Sequence, residues 1–497
     1  MLKKIFLILT LLCILQLNKS DAQDQLRIGV VSIPQDLGNP YGSITMPTIL
    51  GSLGVFDSLT TIDKDGQTKP WVASTWEYID KLTWHFNIKP NIKFSNGESL
   101  DAYAAAAAIN YFASGEGIIE VVAQLVNNIQ SAKAINSSLL EIKTKKPNIL
   151  LPRRISAIRI PPPMYWKKLG RKEFSRKPIG SGSFISTRWD SNKIILIANE
   201  TSWRPPKIKK IEIIAIPEIT SRLQAIITDA IDIAIDISPD DKTSLEKSSS
   251  RLNYRPSGRV QLLTFLSTSD SPVSDVRVRQ ALNYAINKER IINLLLAGST
   301  KPTGQAAVRA SFGFNPSIKP YPYSPKRAKE LLSQSGYPNG FKMSADILQG
   351  ATAGDGAWYL QIANDLKEID VILNYNMASY AIHIRKIRQG GWKGTAFGMD
   401  FNNLPTLDVL WPLRVHSCLW KAPWHCKKEW DLLIEEAEEE FDINRRLLKT
   451  QKLVELYHKQ PTGIYLWEIP GIDGVSNRVH NYKPHHAYVN LHELYIK

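Results

Sequence analysis

The stretch Ser274-Asp275-Val276-Arg277-Val278-Arg279-Gln280-Ala281-Leu282-Asn283-Tyr284-Ala285-Ile286-Asn287 decides the fold. Asp275 is a helix-capping residue type, and Val278, Ala281, Leu282, Ala285 and Ile286 follow it three and four apart. That spacing buries one stripe of a helix and turns Arg277, Arg279 and Gln280 mostly outward. Asn287 then starts a second turn of helix. Helices of this kind alternate with short apolar strands. Residues 26–31 read as a strand, residues 82–88 and 92–94 as a hairpin pair, and residues 101–112 as an alanine-rich helix. A strand at 208–216, a helix capped by Thr220 and running to residue 227, and a returning strand at 231–235 form a strand–helix–strand unit. Such units build α/β lobes. Ser324, with Pro325 in the first helical position and Gly336 past the end, bounds another helix. Between residues 430 and 441, Trp430, Leu433, Ile434, Ala437 and Phe441 share a face. The acidic run Glu435, Glu436, Glu438, Glu439 and Glu440 is then the solvated side of that helix, with an acidic docking patch as the alternative.

Lys3 and Lys4, an apolar run over residues 5–17, and Ser20-Asp21-Ala22 have the order of an export signal cleaved after residue 22. The run is shorter than the roughly 20 residues that cross a bilayer, so cleavage is expected rather than a membrane anchor. Cys13 raises a lipoprotein reading, but Leu12 before it is bulkier than the small residue such sites carry. A soluble periplasmic product is expected. Losing Lys3, Lys4, Lys19 and Asp21 takes the formal charge from +15 to +13. A basic balance suits nucleic acid, an acidic membrane face or an anionic solute. The basic residues are scattered, apart from clusters such as Lys207, Lys209 and Lys210, and lack aromatic interleaving, so nucleic acid is not expected. With 43% apolar residues the chain can build two or three cores.

Cys418 and Cys426 survive cleavage, eight residues apart, and an oxidising compartment favours an intrachain disulfide. His416, Cys418, His425 and Cys426 offer a four-ligand alternative, but adjacent His425 and Cys426 are awkward in a closed tetrahedral site. No metal and no cofactor are expected. Gly180-Ser181-Gly182-Ser183 lacks the lysine of a phosphate loop and the form of a nucleophile elbow, and reads as a tight crossing between domains. His85, His383, His458, His480 and the His485-His486 pair stand without carboxylate or cysteine partners in register. No enzyme is expected.

Residues 275–287 resemble the "DVRVRQALNYAID" segment of extracellular solute-binding protein family 5, which serves ABC importers of peptides, nickel chelates and related solutes. Further runs follow the family's order. Val55-Phe56-Asp57-Ser58-Leu59, Lys69-Pro70-Trp71-Val72-Ala73-Ser74-Thr75-Trp76 and Lys93-Phe94-Ser95-Asn96-Gly97 come first. Pro178-Ile179-Gly180-Ser181-Gly182-Ser183-Phe184 and Asn199-Glu200-Thr201-Ser202-Trp203 come next, then residues 214–236 and 323–341. Some peptide-binding members carry a cysteine pair at the place of Cys418 and Cys426.

The resemblance implies an α/β fold, the type II periplasmic-binding-protein clamshell of two lobes plus an extra inserted domain. Lobe one is expected at residues 23–60, 178–268 and 476–497, the insertion at 61–177 and lobe two at 269–475. It implies a periplasmic solute-binding protein of an ABC importer, a monomer that captures a peptide or peptide-like solute and delivers it to the membrane permease subunits. A secreted binding or chaperone-like module without transport is the alternative, and an exported hydrolase comes third. The ligand site is expected at Phe397, Gly398, Met399, Asp400, Phe401 and Asn402, which resemble the family's "WGADYPDP" segment. There Asp400 holds a solute ammonium and the flanking aromatics exclude water, or Asp400 caps a turn ahead of Pro405. Several positions depart from the pattern: Phe397 stands for Trp, Asn403 or Leu404 for the second aspartate, and Ala104 for an acid. Between residues 340 and 354 only Lys342 is available for a ligand carboxylate. Dipeptides, longer peptides, haem, opines and metal chelates all remain open.

Overall fold

Ten strands form one continuous sheet through the middle of the chain in a computed structural model, which describes residues 24–34, 36–42, 46–348, 354–486 and 488–497. The expected export signal lies outside the described residues. Among those residues no helix is long and apolar enough to cross a membrane.

The N-terminal strand Gln25–Val30 buries Leu26, Ile28 and Val30 and runs parallel to both Lys210–Ala215 and Ile233–Ala234. The expected strand–helix–strand unit is thus present, with the first strand of the chain inserted between its two arms. Its helix, Ile219–Ile227, starts two residues earlier than a cap at Thr220 implies, and its N-cap Glu218 makes no side-chain capping bond, so Thr220 is not the cap. Lys193–Ala198 and Phe184–Trp189 complete this side of the sheet. Two long antiparallel strands, Ser250–Phe265 and Gly463–Ser476, run through the centre with register shifts at Pro256/Val260 and Val260/Leu262. On their other side follow Ala396–Asn402, Phe341–Ile347 and Val371–Met377. One core, around Ile28, Ile213 and Leu196, fills the first side, and another, around Leu263, Leu282, Ile362 and Trp467, fills the second.

The opening motif forms the helix Val276–Ala285, with the Asp275 carboxylate accepting from the Arg277 N–H at 2.7 Å. Asn287 caps the next helix, Lys288–Leu295. Arg279 corrects the outward assignment, because it is only 3% exposed. Its guanidinium donates to the carbonyls of Val273, Ser274 and Pro461 at 2.8–3.0 Å, which satisfies the charge-bearing donors of a buried arginine.

A separate four-stranded antiparallel sheet takes the order Ala73–Tyr78, Thr83–Ile88, Leu139–Thr144, Ile129–Ala134. The partners of residues 83–88 are therefore 73–78 and 139–144, not 92–94. Ile92 and Phe94 bury their side chains without joining a ladder, apart from an isolated bridge between Lys93 and Ser99. The alanine-rich helix Ala102–Tyr111 is capped by Asp101 and places Ala104, Ala105 and Ala108 in this sheet's core, where only small side chains let helix and strands approach closely.

Four of the early motifs meet at one atom group. The Asp57 carboxylate is fully buried and accepts from Trp71 Nε1 at 2.7 Å, Ser181 Oγ at 2.8 Å, Trp203 Nε1 at 2.9 Å and Arg204 Nη2 at 2.5 Å. Gly180 and Gly182 lie so close to the 54–55 backbone that a Cβ would fall 1.9 Å from Val55 O and 2.4 Å from Gly54 O. The acidic helix Lys428–Glu439 departs from a simple solvated face. Glu439 meets Lys146 at 2.5 Å, and Glu438 meets Arg154 at 3.5 Å and Arg414 at 3.1 Å, so part of the run docks onto basic residues of the chain itself.

Candidate functional site

The strand Ala396–Asn402 pairs antiparallel with Ser250–Phe265 and parallel with Phe341–Ile347. Successive side chains of a strand point to opposite faces, and that parity divides the candidate residues. Phe397 is buried, stacked on Trp392 at 3.9 Å between ring centroids and edge-on to Trp424 at 5.3 Å. Phe401 is buried between His416 at 4.2 Å and Tyr465 at 5.8 Å. Both rings belong to the core under the strand, on the face opposite Asp400. They stiffen the strand and do not flank the carboxylate. Met399 shares their face, and its carbonyl accepts from Gln261 Nε2 at 3.1 Å.

On the Asp400 face, Tyr359 lies over Gly398, where a Cβ would come within 2.4 Å of the phenol oxygen. The Gly398 carbonyl meets His383 Nε2 at 2.9 Å, and burial pushes this histidine's pKa down. Asp400 is bound by Arg259, whose Nε and Nη2 both reach the same oxygen, Oδ2. The carboxylate side chain is 15% exposed and the guanidinium 41%. Asp400 is therefore a paired acid, and the turn-capping role falls to its neighbour: Asn402 Oδ1 accepts from the Leu404 N–H at 3.0 Å.

The following loop is held from several sides. Asn403 is buried, accepting from Ser311 Oγ at 2.9 Å and donating to Ala306 O at 3.0 Å. Arg153 donates to the Thr406 and Leu407 carbonyls at 2.9 and 3.1 Å. Asp408 pairs with Arg446 at 3.3 Å and Arg154 at 3.6 Å. Lys342, by contrast, is exposed and in register with Ile372, three residues short of Ala345, which is opposite Ala396. It lies away from Asp400, and Arg259 is the cationic group at the carboxylate. Arg259 escaped the sequence reading because its partner is 141 positions away, joined only by strand pairing.

Cys418 and Cys426 form a disulfide with Cα atoms 4.5 Å apart. Bridged sulfurs offer no thiolate, which removes two ligands from the four-ligand alternative. His416 and His425 are held down to about 3, His416 by burial and by His425, His425 by burial and by Arg279 and Lys427. Among the described residues no group of three His, Cys, Asp or Glu side chains is placed to hold a metal ion. Two open concavities lie apart from the strand. One of about 500 Å³ is lined by Tyr284, Tyr321 and His458, and one of about 590 Å³ by Trp76, Tyr78, Trp84 and Arg153.

Comparison with known proteins gives the family. The model of the bacterial extracellular solute-binding proteins, family 5 (middle region), matches residues 67–417, and the chain belongs to that family. It is 30% identical over 299 residues to the nickel-binding periplasmic protein of Escherichia coli K12, covering 57% of this chain and 56% of that protein. It is 27% identical over 295 residues to the glutathione-binding protein GsiB of the same organism, covering 58% and 56%. The matched stretch thus spans little more than half of these curated relatives. The ABC transporter-associated periplasmic binding protein DppA of Helicobacter pylori, in complex with the peptide STSA, superposes with a TM-score of 0.80 at 19% identity, covering 95% of this chain and 98% of that one. The ABC transporter substrate-binding protein CtaP of Listeria monocytogenes superposes with a TM-score of 0.85 at 18% identity, covering 95% and 99%. The fold is the type II periplasmic-binding-protein clamshell, two lobes with an extra domain.

Proposed function

We propose that this chain is the periplasmic solute receptor of an ABC importer and that it captures a peptide or peptide-like solute between its lobes for delivery to the permease subunits. The observation that carries the reading is Asp400, a part-exposed acid on the strand of the central sheet that pairs with the long strand Ser250–Phe265. Support comes from the family, whose relatives include a glutathione-binding protein, and from the fold neighbour that holds the peptide STSA. On this reading Ser250–Phe265 and Gly463–Ser476 act as the hinge. Residues 23–60, 178–268 and 476–497 form one lobe, 269–475 the other, and 61–177 the inserted domain. The protein works as an exported monomer, without a cofactor, nucleic acid or catalytic role.

A nickel complex is the second reading, favoured by the nickel-binding relative. The described residues hold no three-ligand cluster, so the ion would arrive already chelated. Isothermal titration of the purified protein with trialanine and with nickel–histidine separates the two. In the peptide reading Asp400→Asn weakens trialanine by roughly 2–5 kcal/mol, because a buried ammonium loses its counter-charge. It lowers stability by about 1 kcal/mol at most, since the Arg259 pair it breaks is part-exposed. Wild-type protein that binds nickel–histidine and ignores trialanine overturns the peptide reading.

A further inference from the structure

Four buried carboxylates of this protein use both oxygens. Asp57 Oδ1 takes Trp71 and Arg204 while Oδ2 takes Ser181 and Trp203. Asp232 Oδ1 takes Arg27 and Arg478, and its Oδ2 takes Arg27 through the backbone N–H and Nε. Asp365 divides Arg290 and Gln361 on Oδ1 from the Asn287 N–H on Oδ2. Asp473 divides the Asp236 N–H from Arg255 and Tyr482. Asp400 differs. Both Arg259 donors converge on Oδ2, and Oδ1 has no hydrogen-bond partner among the described residues. Arg259 in turn directs Nε and Nη2 at one atom, has no partner for Nη1 among the described residues, and is the more exposed member of the pair.

Such a pair is neutral as a whole but has one acceptor oxygen and one donor edge unspent. A bare cation approaching it meets an acid already matched by an arginine, so its attraction is largely cancelled. A group carrying an ammonium next to an oxygen acceptor matches both edges at once, the ammonium on Asp400 Oδ1 and the oxygen on the arginine's outer N–H groups, which favour carbonyl and carboxylate oxygens in a fixed fork. Resting on the peptide reading above, we infer that Arg259 is a specificity-determining residue that restricts the site to solutes whose cation sits one carbon from a carbonyl or carboxylate, as at an α-amino terminus, and that excludes simple amines. The backbone favours this placement. Gly258 immediately before Arg259 adopts φ +74°, and a Cβ there would come within 2.7 Å of Leu404, so the turn that presents the arginine requires glycine.

The test is calorimetric titration of wild type, Arg259→Gln, Arg259→Lys and Asp400→Asn with trialanine, N-acetyl-trialanine and n-butylamine, with circular dichroism confirming that each variant is folded. Wild type should bind trialanine, bind the acetylated peptide at least tenfold more weakly, and ignore butylamine. Arg259→Gln should lose about tenfold or more for trialanine, the scale of a charge-assisted hydrogen bond, and gain binding to butylamine. Arg259→Lys, which keeps the charge without the fork, should recover only part of the loss. Asp400→Asn should lose trialanine without gaining butylamine. If Arg259→Gln binds trialanine as wild type does while Asp400→Asn does not, the inference about Arg259 fails and the peptide reading stands. If wild type binds none of the three probes, both fail.

Discussion

Replacing Asp57 by Asn should be among the most damaging isosteric changes in this chain. The side chain is fully buried, and its four donors, Trp71, Ser181 and the adjacent Trp203 and Arg204, come from three segments that with its own make four. The amide keeps one acceptor and turns an NH₂ group toward two of the donors, while Arg204, 10% exposed, keeps its charge and loses its counter-ion. Removing one member of a buried ion pair costs about 3–5 kcal/mol. Burial works to raise the Asp57 pKa, but Arg204 and the three neutral donors outweigh it and hold the carboxyl below its ordinary value. A depressed carboxyl pKa contributes stability that is present above the unfolded pKa of about 3.9 and is lost as pH falls through the folded value. The penalty of Asp57→Asn should therefore be full at pH 7 and shrink below about pH 4. Guanidinium denaturation followed by tryptophan fluorescence measures it, since Trp71 and Trp203 report directly on the site. Asp57→Asn combined with Arg204→Met should be more stable than Asp57→Asn alone, because the orphaned charge is gone. A loss below about 1 kcal/mol for the single change at pH 7 would refute the view that this carboxylate ties the four segments together.

Two further expectations concern buried bases. Lys288 is buried against the Asn283 and Tyr321 carbonyls, and burial lowers its pKa to about 7 despite the opposing pull of Asp365. A lysine depressed in this way destabilises the fold wherever the unfolded lysine is charged, fully below pH 7 and less as pH rises toward 10.5. Lys288→Met should accordingly raise the stability by about 2–4 kcal/mol at pH 7, measured by denaturant titration, and the gain should vanish toward pH 10. A gain that does not change with pH would contradict the cause given. His416 and His425, both held near 3, bind protons in the unfolded chain before the folded one, so stability should fall as pH drops below 6.5. Each should cost about 2 kcal/mol at pH 5. His416→Gln, which keeps an acceptor for the Trp424 N–H, should flatten the acid limb of thermal unfolding by about one proton.

The elements that could be read from the sequence were those fixed by local chemistry. Asp275, Asn287, Asp101 and Ser324 cap helices through atoms two or three residues away, and the period of the apolar stripe does the rest. Reading failed where a residue's partner is remote. Arg279 looks like a surface residue by period, yet Pro461, 182 positions on, supplies one of its three carbonyls. The strand at 83–88 has one partner just upstream and another more than 50 residues downstream, and neither is the nearby apolar pair Ile92 and Phe94. The acidic run at 435–440 alternates with a buried stripe as expected, but period says nothing about Lys146 and Arg154, nearly 300 positions earlier, which part of it faces.

The candidate site shows the same division more sharply. Period-two alternation along residues 396–402 was sufficient to separate Phe397 and Phe401 from Asp400, because adjacent odd and even positions of a strand cannot share a face. That signal was present in the sequence, and taking the aromatics as companions of the carboxylate ignored it. The charge on Asp400 is another matter. In a chain with 62 basic and 47 acidic residues, any acid has many possible partners, and nothing local selects one. Strand register selects it: Gln261 lies opposite Asp400 and Arg259 opposite Asn402, so the arginine reaches the carboxylate on the diagonal. A shift of that register by one residue would turn Arg259 to the core face and leave Asp400 alone. The neutrality of the pair, on which the proposed preference for amino termini over simple amines rests, is therefore a property of sheet register rather than of any motif.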